Sequence, residues 1–399
     1  MTTALGRTLP AMTAVQAVVA MGAFSLSVLA PQLGVDLGTL GWLGTTLFGV
    51  GALSSLATGW LIGRVGDLPL AGLCMLCVLL AMLCGVADAF GLGPARWSLW
   101  PAAVLLGLAF GPETPASAAV LSRVTPPARR PWVFSVRQTG NQIGAVAGSL
   151  LLPSLMLVHA AAAFGAVAAF ALAVALCCFA LQRVDGAPPA VRRVPSPGAA
   201  VDASGLRALA ASPALRVLTA TTVVLMATQV CLNFFTMSHA VRHWSLPVPE
   251  AAGWVALMQA AGLVGRLLWG RVAQRPGVST VRLVGALGLL MGGAGLALFL
   301  WPVVPPPTAL AVLLALLGLS ASGWNGVMVA EIARLAGPER AGAVSGAVLL
   351  FGYAGLALAP IGFAVLGAAA GTTTAFAVLF TAAAAMGLRL LMARPASSA

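Results

Sequence analysis

Long apolar runs, punctuated by arginine, proline and glycine, follow one another along nearly the whole chain. Twelve of them reach the ~20 residues that a helix rising ~1.5 Å per residue needs to cross a hydrocarbon core. They fall at 11–33, 38–62, 69–90, 97–122, 132–157, 160–182, 216–240, 250–270, 279–301, 308–333, 342–366 and 372–393. The runs are continuous and do not alternate apolar with polar residues, which excludes the dyad pattern of a membrane β-barrel. The pattern predicts an all-α membrane protein with twelve transmembrane helices. The first run, with Arg7 ahead of it and Ser27-Val28-Leu29-Ala30 at its end, has the outline of a secretory signal. It is too long for a signal core, and Pro31 would follow the cut, so it is read as a helix. Residues 183–215, with Pro188-Pro189 and Pro195-Ser196-Pro197, interrupt the series and read as a linker. The expected organisation is a six-helix half at 1–182, a cytoplasmic linker at 183–215 and a second half at 216–399.

Composition supports the same class. The chain is 60% hydrophobic and 8% charged, against roughly 25% charged in a soluble domain. A chain so apolar has no polar surface to offer water. All 21 basic residues are arginine, against 9 acidic ones, so a Schiff-base or P-loop lysine is excluded. A net charge of +12 would suggest nucleic acid in a soluble protein; here it reads as arginine-rich loops on one side of a membrane. With the N-terminus inside, the inner loops hold Arg64, Arg123, Arg129, Arg130, Arg183, Arg192, Arg193, Arg207, Arg271, Arg275, Arg334 and Arg340, while the outer loops hold Arg96 and Arg242. This asymmetry predicts both termini in the cytoplasm. Trp97, Trp100, Trp244, Trp254 and Trp301 then lie near the outer face and Trp60, Trp132 and Trp269 near the inner one, as an aromatic belt; Trp324 fits neither.

The two halves repeat. Gly59, Arg64 and Gly66 lie 211 residues before Gly270, Arg275 and Gly277, and the same offset relates Gly51 to Gly262, Gly107 to Gly318 and Arg123 to Arg334. A constant offset across different helix pairs indicates a parallel duplication, a plan known among transporters.

On these residues the chain resembles the major facilitator superfamily, whose signature loop between helices 2 and 3 reads Gly-x-Leu-Ala-Asp-Arg-x-Gly-Arg. Gly59, Leu61, Arg64 and Gly66 match it, as do Gly270, Arg275 and Gly277 in the second copy. The signature aspartate, which helps latch the family's cytoplasmic face, is replaced by Gly63 and Gln274, implying a differently made gate. The resemblance implies a secondary transporter in which two halves rock about a site lined by helices 1, 4, 7 and 10. The family's antiporter signature in helix 5 carries a Gly-Pro pair, absent from 140–145.

Charges embedded at membrane depth cost roughly 2.5–3.5 kcal/mol on insertion scales and are functional candidates. Glu113 lies inside the fourth span, between Pro112 and Pro115, which should bend or open the helix. Arg137, two turns into the fifth span, is its natural partner; Asn141, Gly144 and Gly148 follow on one helix face. The repeat offset maps Glu113 onto Trp324, followed by Asn325, and Phe24 onto Phe235. Asn233, Gln259 and Tyr353 also fall mid-span, Gln259 reading as an interhelical hydrogen bond. Arg266 and Glu331 near the inner ends of their spans, with Arg64, Arg271, Arg275 and Arg334, read as a cytoplasmic gate. Cys74, Cys77 and Cys84 read as buried thiols, and His159, His239 and His243 lack metal spacing. No catalytic triad, nucleotide loop or nucleic-acid motif occurs, so neither an enzyme nor a cofactor, metal or nucleic-acid partner is expected.

The resulting expectation is a secondary transporter of a small organic anion in the plasma membrane, acting as a monomer. Arg137 would attract the anion and Glu113 would carry a coupling proton. Asn141, Asn233, Asn325 and Tyr353 would supply hydrogen bonds, and Trp324, Phe24 and Phe235 apolar walls. Proton-coupled efflux of apolar or cationic drugs, with Glu113 attracting the cation, is the alternative. A sensor or scaffold without turnover is a third reading, disfavoured because no extra soluble domain is seen.

Overall fold

The structure, a computed structural model, describes residues 3–126, 129–185, 203–337 and 340–392. Its helices are α1 (Thr3–Val28), α2 (Leu37–Leu56), α3 (Thr58–Val65), α4 (Asp67–Ala89), α5 (Leu99–Val124), α6 (Arg130–Val158) and α7 (Ala160–Asp185). There follow α8 (Ala203–Ala211), α9 (Pro213–Arg242), α10 (Val248–Val272), α11 (Thr280–Phe299), α12 (Pro307–Ala336), α13 (Ala341–Ala370) and α14 (Thr372–Met392). No strand occurs among the described residues. Among the described residues twelve helices are long and apolar enough to cross a membrane, one for each predicted span. In lipid each backbone must satisfy its own hydrogen bonds, and a helix does so within one segment. Leu53, Leu80, Val158, Val312 and Leu358 are well exposed, as side chains turned toward lipid would be.

Two local features depart from the expected pattern. The second span is broken at Ala57, between α2 and α3. Ser54 and Ser55 donate their hydroxyls to the carbonyls of Gly51 and Ala52, at 3.1 and 2.7 Å. Such back-bonding competes with the helical ladder and bends helices. At the equivalent positions of the second half stand Gly265 and Arg266, and α10 runs unbroken. The second departure is α8, a helix formed by the end of the expected linker. It packs on α13, with Gly205 allowing its backbone close to Ala343. The Pro188-Pro189 and Pro195-Ser196-Pro197 segments lie outside the described residues.

The chain divides into two compact units, residues 1–200 with Asn233–Ala256, and Val201–Leu232 with Leu257–Ala399. In the first, α4 packs on α7 and α5, α1 on α6, and α2 on α5. In the second, α11 packs on α14 and α12, repeating the arrangement of α4 with α7 and α5. The repeat extends to single atoms. A Cβ placed on Gly51 would lie 3.5 Å from the Gly107 carbonyl oxygen, and one on Gly262 would lie 3.4 Å from that of Gly318. A Cβ on Gly107 would meet the Leu47 carbonyl and one on Gly318 that of Met258, again 211 residues apart. These glycines let the helices of each pair approach closely, the small-residue packing favoured in membranes.

The connecting turns are capped by acids. Asp36 accepts from the Thr39 backbone at 2.9 Å and from its hydroxyl at 2.6 Å at the start of α2. The Thr39 hydroxyl, then its backbone N–H, holds this carboxyl below its ordinary value of 3.8. Asp88 accepts from the Arg96 backbone and the Ser98 hydroxyl, at 3.1 and 2.9 Å.

Candidate functional site

The first unit buries a full ion pair between α5 and α6. Glu113 and Arg137 are each 2% exposed. Arg137 Nη2 donates to Glu113 Oε1, which also accepts from Ser117 Oγ at 3.1 Å. Thr114 Oγ1 donates to Oε2 at 2.9 Å and lies 3.4 Å from Arg137 Nη2. Every oxygen of the carboxylate is therefore engaged, while Arg137 Nε is buried with no acceptor among the described residues. Such a pair resists disruption, because removing one partner leaves the other charge buried alone.

The surrounding sequence explains why these side chains meet. Pro112 and Pro115 remove the amides that would bond the carbonyls of Leu108 and Gly111, yet α5 stays helical through both. The expected opening of the helix is not seen; Gly111 instead seats α5 on α2 beside Gly51 and Ser54. On α6, Gly140, Gly144 and Gly148 bring the helix onto Thr13, Ala17 and Met21 of α1. This three-glycine face fixes the rotation of α6. Asn141, one turn beyond Arg137, is half-buried.

The second unit places neutral groups where the first has charges. Trp324, at the position of Glu113, is 2% exposed and its Nε1 has no acceptor among the described residues. Asn325, at the position of Thr114, donates from Nδ2 to Gln229 Oε1 at 3.2 Å, joining α12 to α9. Buried Val348 stands at the position of Arg137. Phe24 and Tyr353 are half-buried, as is Asn233, and Gln259 is buried. Phe235 is buried at one end of an aromatic series. Phe110, Phe48, Phe234 and Phe235 follow one another with ring centroids 5.4, 5.9 and 5.9 Å apart within the first unit.

The candidate gate residues divide. Glu331 is buried and paired inside its own unit, accepting from Arg334 Nε at 2.9 Å on the same helix and from the Thr280 hydroxyl of α11. Arg64 stacks on Trp60, one turn back, with its guanidinium 4.3 Å from the ring centroid. Arg266 is half-buried; Arg271 and Arg275 are exposed.

Four contributors are absent from the sequence reading. Asp67, four residues beyond Gly63, caps Leu68 and pairs with Arg123 at 3.2 Å, supplying a carboxylate beside the loop whose signature aspartate is missing. Its signal was an acid directly after Gly66, at a helix start. Thr114 and Ser117 stand one and four residues after Glu113, the second at the spacing of helix neighbours. Gln229 is a mid-span amide as readable as Asn233. Of the histidines, the rings of His239 and His243 lie 4.6 Å apart, tilted by 30°, and His159 lies against Phe90 at 5.5 Å.

Comparison with known proteins agrees with this architecture. An uncharacterized MFS-type transporter of Mycobacterium tuberculosis is 27% identical over 321 residues, 76% of this chain and 67% of the relative. A bacterial homologue of the human lysosomal transporter Spinster superposes with a TM-score of 0.71 at 17% identity, covering 98% of this chain and 95% of the other. A peptide transporter gives 0.75 at 16% identity (96% and 93% covered), and a D-xylose–proton symporter 0.74 at 10% (97% and 97%). The sequence profile of the Major Facilitator Superfamily matches residues 11–360. With twelve membrane-length helices and two units built on a common repeat, the chain belongs to the Major Facilitator Superfamily, as a multi-pass membrane transporter and not an enzyme.

Proposed function

We propose that the protein moves a small organic anion together with a proton, by alternating access of the halves 1–182 and 216–399 joined by 183–215. The observation that carries this reading is the buried Glu113–Arg137 pair with its spare donor at Arg137 Nε. With Glu113 ionised, the guanidinium is held by the carboxylate. A proton on Glu113 removes that attraction and leaves a buried cation in need of an anion. A carboxylate-bearing solute then satisfies Arg137, whose planar fork suits bidentate pairing. Proton and anion thus favour each other's binding, and linkage makes the effect reciprocal.

Asn141 on α6 and Asn325 on α12 supply hydrogen bonds to the solute, with Asn233 and Tyr353. The unpartnered indole N–H of Trp324 adds a donor from the second half, and Phe24 and Phe235 contribute apolar surface. Arg64, Arg266, Arg271, Arg275, Glu331 and Arg334 serve the cytoplasmic gate. The protein works as a monomer in the plasma membrane with both termini in the cytoplasm, the orientation that the arginine distribution supports. Proton coupling is within reach of this fold, since a solved structure sharing it is named a D-xylose–proton symporter. Efflux of cationic compounds would use Glu113 as counter-charge; the three donors already on its carboxylate favour the anion.

Proteoliposomes containing a trapped pH dye test the proposal with a panel of small carboxylates, amines and sugars. A carboxylate should acidify the lumen with the wild-type protein. Glu113→Gln should abolish that acidification and keep counterflow exchange of the same compound. Intact proton-driven uptake by Glu113→Gln would remove the coupling role, and carboxylate uptake unchanged in Arg137→Ala would remove the anion site.

A further inference from the structure

Far from the ion pair in sequence, the second compact unit contains a cavity of about 840 Å³. It lies where the first residues of α9 and α11 meet the last residues of α12 and α14. Its lining is largely apolar and includes buried Leu218 and half-buried Val217 of α9 and exposed Leu388 of α14. Its charged lining residues are Arg282, Arg334 and Arg389, with the carboxylate of Glu331 as the acid among the described lining residues. That carboxylate is buried and already taken by Arg334 and Thr280. The guanidinium groups of Arg282 and Arg389 are exposed and make no hydrogen bond or ion pair among the described residues. Two uncompensated cations therefore stand over an apolar cavity of ligand size.

This pairing of surfaces selects its occupant. A small water-soluble anion would satisfy the arginines and leave the apolar lining bare; a neutral apolar molecule would cover that lining and leave the arginines alone. An amphiphile with an anionic head and an acyl chain satisfies both. The cavity opens at the ends of membrane-length helices, the level at which a bilayer keeps its headgroups. Basic pockets between transmembrane helices are suited to phosphate headgroups.

We propose that this cavity binds an anionic phospholipid of the surrounding bilayer. Its headgroup phosphate lies on Arg282 and Arg389, and an acyl chain lies along Val217, Leu218 and Leu388. The lipid thereby ties together the ends of α9, α11, α12 and α14. The site is separate from the transport pair and stands whether or not that pair moves protons.

The test uses the purified full chain in detergent, with apparent affinities from native mass spectrometry and stability from thermal melting. The probes are phosphatidylglycerol, phosphatidylcholine with the same acyl chains, and glycerol phosphate as a chain-free headgroup. Phosphatidylglycerol should bind more tightly than phosphatidylcholine and raise the melting temperature. Arg282→Gln with Arg389→Gln should weaken phosphatidylglycerol binding by about fivefold per arginine, from ~1 kcal/mol each, and leave phosphatidylcholine binding unchanged. Ala385→Trp, which fills the cavity and keeps the charges, should also remove the preference and carries the test if the double variant does not fold. Equal binding of the two lipids, or a preference retained in either variant, overturns the proposal. A melting shift reproduced by glycerol phosphate alone assigns the site to a soluble anion and overturns it as well.

Discussion

Removing the charge of Glu113 without changing its shape isolates the central interaction of the first unit. In Glu113→Gln the amide oxygen still accepts from Ser117 and Arg137, but the guanidinium, 2% exposed, loses its counter-charge. Orphaning one member of a buried pair costs about 3–5 kcal/mol, and the retained hydrogen bonds place this variant near the lower limit. At roughly 2–4 °C per kcal/mol for a unit of about 200 residues, the melting temperature should fall by about 6–12 °C. Arg137→Met should lose a similar amount, because it strands the carboxylate. The double variant removes both charges and should recover most of either loss, so the two single effects are strongly non-additive. Thermal unfolding of the four purified proteins, read by size exclusion of heated samples, gives the cycle without knowledge of the solute. Losses that simply add, or single variants that melt with the wild type, would show that the pair does not hold α5 to α6 and would refute the reasoning.

Three further expectations rest on separate features. Gly144→Ala places a methyl group against the Ala17 backbone of α1 and should cost about 1–3 kcal/mol of overpacking, while Gly362→Ala meets open space and should be neutral or slightly stabilising; melting temperatures of the two variants compare them directly. Asp36 has its carboxyl held below the ordinary value by Thr39, so its contribution is present above pH 3.8 and is lost as pH falls through the lowered value. Thr39→Val should shift that loss toward higher pH on the acid limb of a melting profile, and an unchanged limb would discount the cap. Reporter fusions should place the C-terminus in the cytoplasm and the 91–96 loop outside; an external C-terminus would overturn the arginine-based orientation.

The spans and the repeat were legible because both are written locally. An apolar run of sufficient length specifies a helix wherever lipid replaces water, and Gly51, Gly107, Gly262 and Gly318 keep their offset whatever their contacts. Glu113 and Arg137 stood out for the same reason, as charges that topology did not require. Other features depended on groups whose effect is conditional. The serines at 54 and 55 stand just before the break at Ala57 and turn their hydroxyls back onto carbonyls, a choice of partner that the apolar run does not announce. The residues of α8 look like linker until α13 offers a surface. Phe48, Phe110 and Phe234 were three phenylalanines among many in apolar runs, and their succession exists only once α2, α5 and the end of α9 are side by side.

The sequence by itself determined the class, the twelve spans, the duplication and the two charges worth attention, since hydropathy, length and periodicity belong to single segments. Only the tertiary structure decided partners: that Arg137 meets Glu113 together with Thr114 and Ser117, that Asn325 meets Gln229, that Asp67 meets Arg123, and that Glu331 turns to Arg334 and Thr280 within its own unit. Partner choice depends on how each helix is rotated and how closely it approaches its neighbours. In lipid that rotation comes from packing of small residues such as Gly140, Gly144 and Gly148 against Thr13, Ala17 and Met21. Such packing is a property of two surfaces at once, and no single segment contains it.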